Sequence, residues 1–235
     1  MENKLSFNDK IIALSKTIDW SSLKNKKKLL IIACSDTKNP GGIPVCTDDL
    51  FQSLNLPDFI NNRQIRLCQY DNLLINEPEY FNNKKRSKLP VNQIYFNDCR
   101  NTNVLYMPAY QRYSGRLFYS EGLILRYLEK IELEDLHILI ISGLYGVLEF
   151  NDSIIDYQLE ISKSTFWTKN KNFSIQEAVK KYIKVNSIDN EFVFYSLSGQ
   201  YKKALKPIQE WNDIWIKHDR GACSASFLED FLDSI

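Results

Sequence analysis

The sequence predicts an α/β fold, with a mostly parallel or mixed central sheet that has helices on both faces. Two observations predict it: short apolar runs recur along the 235 residues, and segments with helical periodicity separate them. The first and third runs are almost continuously apolar, as expected for strands covered on both faces. The four runs that we expect to be strands are Leu29–Cys34, Val104–Met107, His137–Ile141 and Glu191–Leu197.

Two segments have the apolar spacing of amphipathic helices. Residues 120–131 place most of their Leu and Ile side chains along one side of a helix. Residues 174–185 begin with Ser174, and Glu177 follows at the spacing of a capping box. The side chains expected to face inward from this second helix are Ile175, Val179, Tyr182 and Ile183.

The remaining segments are less regular, and we predict one domain over residues 1–235. Residues 39–103 contain the turn-forming stretches PGGIP, NLPD and NEPE, which indicate a long irregular insertion. Residues 161–173 form a second, shorter polar interruption.

The net charge of +1 gives no basic signal for the whole chain, so any positive surface is local. One basic cluster lies at residues 24–28 and another at residues 84–88. Such clusters are usually solvated loops, and contact with phosphate groups is the alternative.

Cysteine and histidine usage argues against a metal site. The five cysteines include no CxxC or CxxH pair, and the chain has two histidines. We therefore predict no cofactor and reduced thiols, as is typical of cytoplasmic proteins. The polar first ten residues do not resemble a secretion signal, and no apolar run approaches the length of a membrane span. Composition does not predict the oligomeric state.

Three of the predicted strands end in small polar residues. Because ligands bind beyond the carboxyl ends of parallel strands, these turns predict one rim for a phosphate or a polar ring. The alternative is that they are ordinary turns. GLYG is not a phosphate-binding loop and GxGxxG is absent, so ATP and NAD are not indicated. The residues of this rim are Cys34, Ser35 and Lys38; Ser142, Gly143, Tyr145 and Gly146; and Ser198, Gly199, Tyr201 and Lys202.

Residues 108–118 combine aromatic and basic side chains that could stack on a base and pair with phosphate. An ordinary surface segment is the alternative. The residues concerned are Tyr110, Arg112, Tyr113, Gly115 and Arg116.

Asp152 and Asp156 are candidate catalytic carboxylates that could stabilise a sugar cation or activate water. Alternatively, Asp152 caps a turn and Asp156 pairs with a Lys or Arg. His218 could be a general base, whereas we expect His137, at the start of a core strand, to be structural. Cys34 could be a nucleophile or inert packing.

Five segments resemble the YaaA-type superfamily, named for a peroxide stress protein, and related small domains that open with CS-x-x-K. SGLYGVL with D-x-I-x-x-Y downstream and S-x-x-Y-K-x-x-x-K-P later are the most specific motifs. The chain departs from the S-P-A-K opening at Cys34-Ser35, and it has DYQLE where the peroxide-stress members resemble PYRLE. The segments are residues 31–38, 109–118, 140–161, 193–207 and, more weakly, 220–232.

The resemblance implies an α/β fold with a positively charged cleft that binds nucleic acid or nucleotides. It also implies roles in DNA protection under oxidative stress, base modification or phage defence. The resemblance carries over fourteen site positions: Ser35, Lys38, Tyr113, Gly115, Ser142, Gly143, Tyr145, Gly146, Asp152, Tyr157, Ser198, Tyr201, Lys202 and Arg220. We therefore expect a protein that binds DNA or a nucleotide and acts on a nucleobase or its N-glycosidic bond, in the manner of a DNA glycosylase. The alternative is a DNA-binding protein without catalytic activity that protects DNA from oxidation.

We expect the candidate residues to have two kinds of role, catalysis and substrate binding. Lys38, Tyr113, Asp152 and Asp156 are the candidate catalytic residues, with Lys38 and Lys202 neutralising phosphate or the leaving base. The remaining rim and aromatic residues are expected to bind substrate.

Overall fold

The computed structural model describes a mixed five-stranded sheet at the centre of the protein. It describes residues 25–44, 54–76, 105–115, 118, 127–131, 135–157, 159, 161, 167, 174–197, 199–214 and 232. Its strands are β1 (Lys28–Ala33), β3 (Leu136–Ser142), β4 (Gly146–Glu149), β6 (Val193–Ser196) and β7 (Asn212–Asp213). The strand order is β4-β3-β1-β6-β7.

β1 lies in the middle of the sheet and is parallel to both neighbours. Leu29 pairs with His137 of β3 on one side and with Val193 of β6 on the other. β7 extends the sheet in parallel, and β4 returns antiparallel to β3 through a tight turn. The predicted α/β class with a mostly parallel or mixed sheet is confirmed.

Alternate residues of β1 contribute to two separate cores, one on each face of the sheet. Leu30 and Ile32 belong to one core, and Leu29 and Ile31 belong to the other. All four side chains are fully buried, which explains why this strand reads as a continuous apolar run.

Helix α3 (Ile175–Asn186) covers one of these faces, and its start is the predicted one. The Ser174 side chain accepts a hydrogen bond from the Glu177 amide, and the Glu177 side chain accepts one from the Ser174 amide. The helix ends at Ser187, whose φ of 55° is left-handed. The four side chains expected to face inward are all buried.

The second predicted strand is not part of the central sheet. Strand β2 is only Met107–Pro108, and it pairs antiparallel with β5 (Ser153–Ile154) in a separate two-stranded sheet. Pro108 has no amide hydrogen to donate, so it cannot continue a central strand. The fourth strand is shorter than predicted because Asn190–Phe192 forms a 3₁₀ turn.

Part of the predicted irregular insertion is helical. Helix α1 (Pro57–Asn76) has 20 residues, and the buried positions among its described side chains are Phe59, Arg63, Arg66 and Tyr70. Two of the four are arginines, so the apolar periodicity that predicts a helix is weak here. Among the described residues, no helix combines the length and apolar character needed to cross a bilayer.

Two further helices complete the described elements that flank the site. Helix α2 (Ala109–Arg112) follows β2, and helix α4 (Gly199–Leu205) follows β6. Residues 127–131 are helical, as predicted for that part of residues 120–131; the earlier residues of that segment lie outside the described ranges.

Candidate active site

The carboxyl ends of the three adjacent parallel strands β3, β1 and β6 meet at one edge of the sheet. Cys34 follows β1, and its amide donates to the Ile141 carbonyl of β3 at 2.9 Å. Tyr201, which follows β6, has its hydroxyl 3.3 Å from Cys34 Sγ. The structure therefore brings together residues from all three of the turns singled out in the sequence.

The segment after β1 is held against residues 112–115. Lys38 and Tyr113 form an antiparallel bridge, and the Ser114 amide donates to the Thr37 carbonyl at 3.0 Å. Gly115 packs directly on Ser35: a Cβ added there would lie 2.8 Å from Ser35 Cβ and would overlap Ser35 Oγ. The close approach of these two segments requires glycine at position 115.

A buried chain of hydroxyl groups connects the turn after β3 with this segment. Ser142 Oγ lies 2.6 Å from the Tyr157 hydroxyl oxygen, which lies 2.7 Å from the Tyr113 hydroxyl oxygen. Ser142 Oγ also accepts hydrogen bonds from the amides of Leu144 and Tyr145, at 3.2 and 3.0 Å. All three hydroxyl-bearing residues are buried.

The direction of this chain follows from the number of lone pairs. Two amides occupy both acceptor positions of Ser142 Oγ, so the serine must donate its own hydrogen to Tyr157. Tyr157 then donates to Tyr113. Tyr113 is therefore the last hydroxyl group of this chain.

Burial, and secondly the proximity of Cys34, raise the pKa of both phenols well above the ordinary value. Tyr113 and Tyr157 therefore stay protonated at neutral pH and keep their capacity to donate a hydrogen bond.

The ammonium of Lys38 lies over the two tyrosine rings. Its Nζ is 4.2 Å from the centroid of Tyr157 and 5.5 Å from that of Tyr113, and it donates to the Ser35 carbonyl at 3.0 Å. Burial is the main cause that lowers the pKa of Lys38; nearby Cys34, Asp156 and Asp36 oppose this, and Arg112 adds to it.

Asp156 is an acidic residue whose charge acts on Lys38. Burial raises the pKa of Asp156, while Lys38, Arg112 and the Tyr157 amide act in the opposite direction. The amine and the carboxyl group are therefore close enough to influence each other, and burial moves each of them toward its neutral form.

Arg112 and Tyr110 have partners within the protein. The Arg112 guanidinium donates to the carbonyls of Asn39, Gly41 and Leu105 at 2.6 to 3.0 Å, and the side chain is buried. Tyr110 stacks on Phe150 with ring centroids 5.2 Å apart. Both residues therefore have partners within the protein, and the predicted contacts with a base and with phosphate stay predictions.

Asp152 and Lys202 lie in other surroundings. The buried Asp152 carboxylate accepts from the Glu149 amide at 3.0 Å, which is the turn-capping alternative. Lys202 forms an ion pair with Asp213 of β7, and its Nζ is 5.5 Å from the Tyr195 ring centroid. The hydrogen bond to Asp213 is the main cause that raises the pKa of Lys202.

Contacts from distant residues fix the turn at Ser142–Gly146. The Trp167 indole donates to the Gly143 carbonyl at 3.1 Å, and its ring packs on Gly146, where φ is +80°. The Tyr145 hydroxyl accepts from the Ile155 amide at 3.1 Å. Arg63 of α1 donates to the carbonyls of Tyr145 and Val147 at 3.2 and 2.6 Å.

Some predicted site residues remain predictions. Arg116, Ser198, Arg220, His218 and the basic cluster at 84–88 lie outside the described residues, and Gly199 is exposed. In the other basic cluster, Lys28 is buried at the start of β1, about 17 Å along that strand from the candidate site. Within the described ranges, no group of His, Cys, Asp or Glu is placed to bind a metal ion.

Sequence reasoning missed Arg63, Tyr70 and Trp167. Tyr70 meets Tyr157 edge-on at 6.5 Å, and Arg63 lies 5.6 Å from the Tyr145 ring. The spacing of Phe59, Arg63, Arg66 and Tyr70 is helical, and it would have predicted α1 if the arginines had been treated as buried. No local signal identifies Trp167.

Comparison with known proteins gives a family match over most of the chain. The family model described as peroxide stress protein YaaA matches residues 29–224, which include the candidate site and most of the sheet. No curated protein matches the chain significantly.

Proposed function

The chain belongs to the family of the peroxide stress protein YaaA, and from that premise we propose that it acts on a nucleobase or on its N-glycosidic bond. The substrate would be DNA or a nucleotide. The observation that carries the proposal is the Tyr113 hydroxyl at the end of the hydroxyl chain, with the Lys38 amine over the Tyr113 ring and Asp156 near Lys38, at the carboxyl ends of three strands.

Cleavage of an N-glycosidic bond needs two kinds of assistance. The departing base gains negative charge, and the sugar carbon gains positive charge. The Tyr113 hydroxyl could donate to the base, and Lys38 could stabilise the charge that the base gains. Asp156 could stabilise the sugar cation or orient the attacking water.

Asp156 fits this role better than Asp152 does. Asp156 is half-buried and close enough to Lys38 for the two charges to interact. The Asp152 carboxylate instead holds the Glu149 amide. We therefore assign Asp156, and not Asp152, to the chemistry.

The decisive experiment is incubation of the protein with plain, oxidised and otherwise modified DNA, and with free nucleotides, followed by mass spectrometry for released base. Tyr113→Phe keeps the ring under Lys38 and removes the donor, so we expect release to slow about 100-fold. Asp156→Asn should reduce release at least as much, whereas Asp189→Asn, at an exposed carboxylate beyond α3, should not. Binding without release from any substrate would contradict the proposal.

The family description names peroxide stress. A second candidate that we propose is therefore a DNA-binding protein that protects DNA under that stress without chemistry. It predicts affinity that falls steeply with salt and no released base. Substitution of Lys84, Lys85 and Arg86 should weaken binding, and Asp156→Asn should not impair protection. Loss of protection in Asp156→Asn with binding intact would exclude this candidate.

A further inference from the structure

We propose that Lys38 is a nucleophile that forms an imine with the aldehyde carbon of a sugar, with a base-free deoxyribose in DNA as the substrate. This inference rests on the proposed function, since loss of a base creates that aldehyde. It assigns the Lys38 amine a covalent role in addition to its charge.

The surroundings of Lys38 are those that make a lysine nucleophilic. A lysine attacks a carbonyl only as the neutral amine, which an apolar environment and a nearby cation both favour. Burial is the main cause that lowers the pKa of Lys38, and Arg112 adds to it. The tyrosine rings under the amine and the nearby acidic groups act in the opposite direction, and burial outweighs them.

Lys202 provides an internal contrast. It also lies near a strand end and a tyrosine ring, but it is paired with Asp213, which holds its ammonium charged. Of these two rim lysines, only Lys38 has surroundings that favour the neutral amine.

The position of Lys38 also allows access from the rim. The side chain is partly exposed, and the neighbouring Asp36 and Thr37 are exposed. The hydrogen bond from Nζ to the Ser35 carbonyl fixes the amine at 3.0 Å from the backbone just inside this rim.

Asp156 can carry the protons of the reaction. The Lys38 nitrogen lone pair attacks the aldehyde carbon, and the carbonyl oxygen takes a proton from the Asp156 carboxyl group. The nitrogen returns a proton to Asp156, and this carboxyl group then protonates the hydroxyl group, which leaves as water while the nitrogen lone pair forms the C=N bond. Transfer of the remaining N–H proton back to the Asp156 carboxylate gives the imine. The sum is amine plus aldehyde to imine plus water, and nothing is oxidised or reduced.

Borohydride reduction tests the inference directly. An oligonucleotide with a single abasic site, in duplex and single-stranded form, is incubated with the full chain and sodium borohydride, which converts an imine into a stable amine. We expect a cross-linked species on a denaturing gel, and peptide mapping by mass spectrometry should place the adduct on Lys38.

Two variants sharpen the result. Lys38→Arg keeps the charge but cannot form the imine, so trapping should fall at least tenfold. Lys203→Arg, at an exposed residue of α4, should trap as the wild-type chain does. The wild-type peptide map decides the question even if Lys38→Arg fails to fold.

The outcomes separate this inference from the proposed function. No adduct, or an adduct on another lysine, would overturn the role of Lys38 whether or not base is released. An adduct on Lys38 without base release from any substrate would support the role of Lys38 and contradict the glycosidic activity.

Discussion

The directed hydroxyl chain makes a quantitative prediction about three conservative variants. Ser142→Ala removes the acceptor of two buried amides and the donor to Tyr157, three hydrogen bonds in all. At about 1 kcal/mol for each bond, the free energy of unfolding should fall by about 3 kcal/mol. Tyr157→Phe removes two bonds and should cost about 2 kcal/mol. Tyr113→Phe removes one bond and should cost about 1 kcal/mol.

Equilibrium urea denaturation, followed by tryptophan fluorescence and circular dichroism, measures this series. Ser142→Ala and Tyr157→Phe share one hydrogen bond, so the double variant should lose about 4 kcal/mol rather than the sum of about 5 kcal/mol. The two Tyr→Phe variants retain their rings, so lost apolar burial does not explain a difference between them. If Tyr113→Phe costs as much as Ser142→Ala, the assignment of one hydrogen bond to Tyr113 and of three to Ser142 is wrong.

Three other perturbations test the packing around the site and the opposite end of the sheet. Gly115→Ala should destabilise the protein by about 1–3 kcal/mol through overlap with Ser35. Adding Ser35→Gly to this variant should restore most of the lost stability. If urea denaturation shows no recovery of stability in the double variant, the close approach of residues 115 and 35 is contradicted. Arg63→Met should cost about 2–4 kcal/mol because two carbonyls of the β3–β4 hairpin lose a charged donor, and unchanged stability would argue against this anchoring. His137 Nδ1 lies 2.8 Å from the Tyr182 hydroxyl oxygen, and burial is the main cause that lowers the pKa of His137. The folded state therefore binds fewer protons at this site than the unfolded state does. The wild-type chain should therefore lose stability as the pH falls below about 6.5, and this His137 contribution should be absent in His137→Gln; identical pH profiles would contradict it.

Much of the sheet and one of its helices could be predicted from sequence because their signals are local. The continuous apolar runs indicated β1 and β3, and the capping box at Ser174 indicated the start of α3. The parallel arrangement also placed the turns after β1, β3 and β6 at one edge, which is where Cys34 and Tyr201 meet. The apolar pattern was misleading at two places. It predicted a central strand just before Pro108, and it did not predict α1, because two of the buried positions of that helix are arginines.

The roles of individual polar side chains were decided by the tertiary structure. Asp152 and Asp156 are four residues apart and look equivalent in sequence, yet one caps a turn and the other lies near Lys38. Arg112 reads as a surface cation, but it binds carbonyls as far as 73 residues away.

The sequence by itself therefore determined the family and the turns that carry the candidate site residues. These features can be read from short local motifs, because they depend on neighbours within a few residues. Only the tertiary structure decided which hydroxyl group donates a hydrogen bond to which, and which of the two rim lysines is desolvated. Those properties depend on burial and on partners that are distant in sequence, such as Tyr201, which lies 167 positions from Cys34.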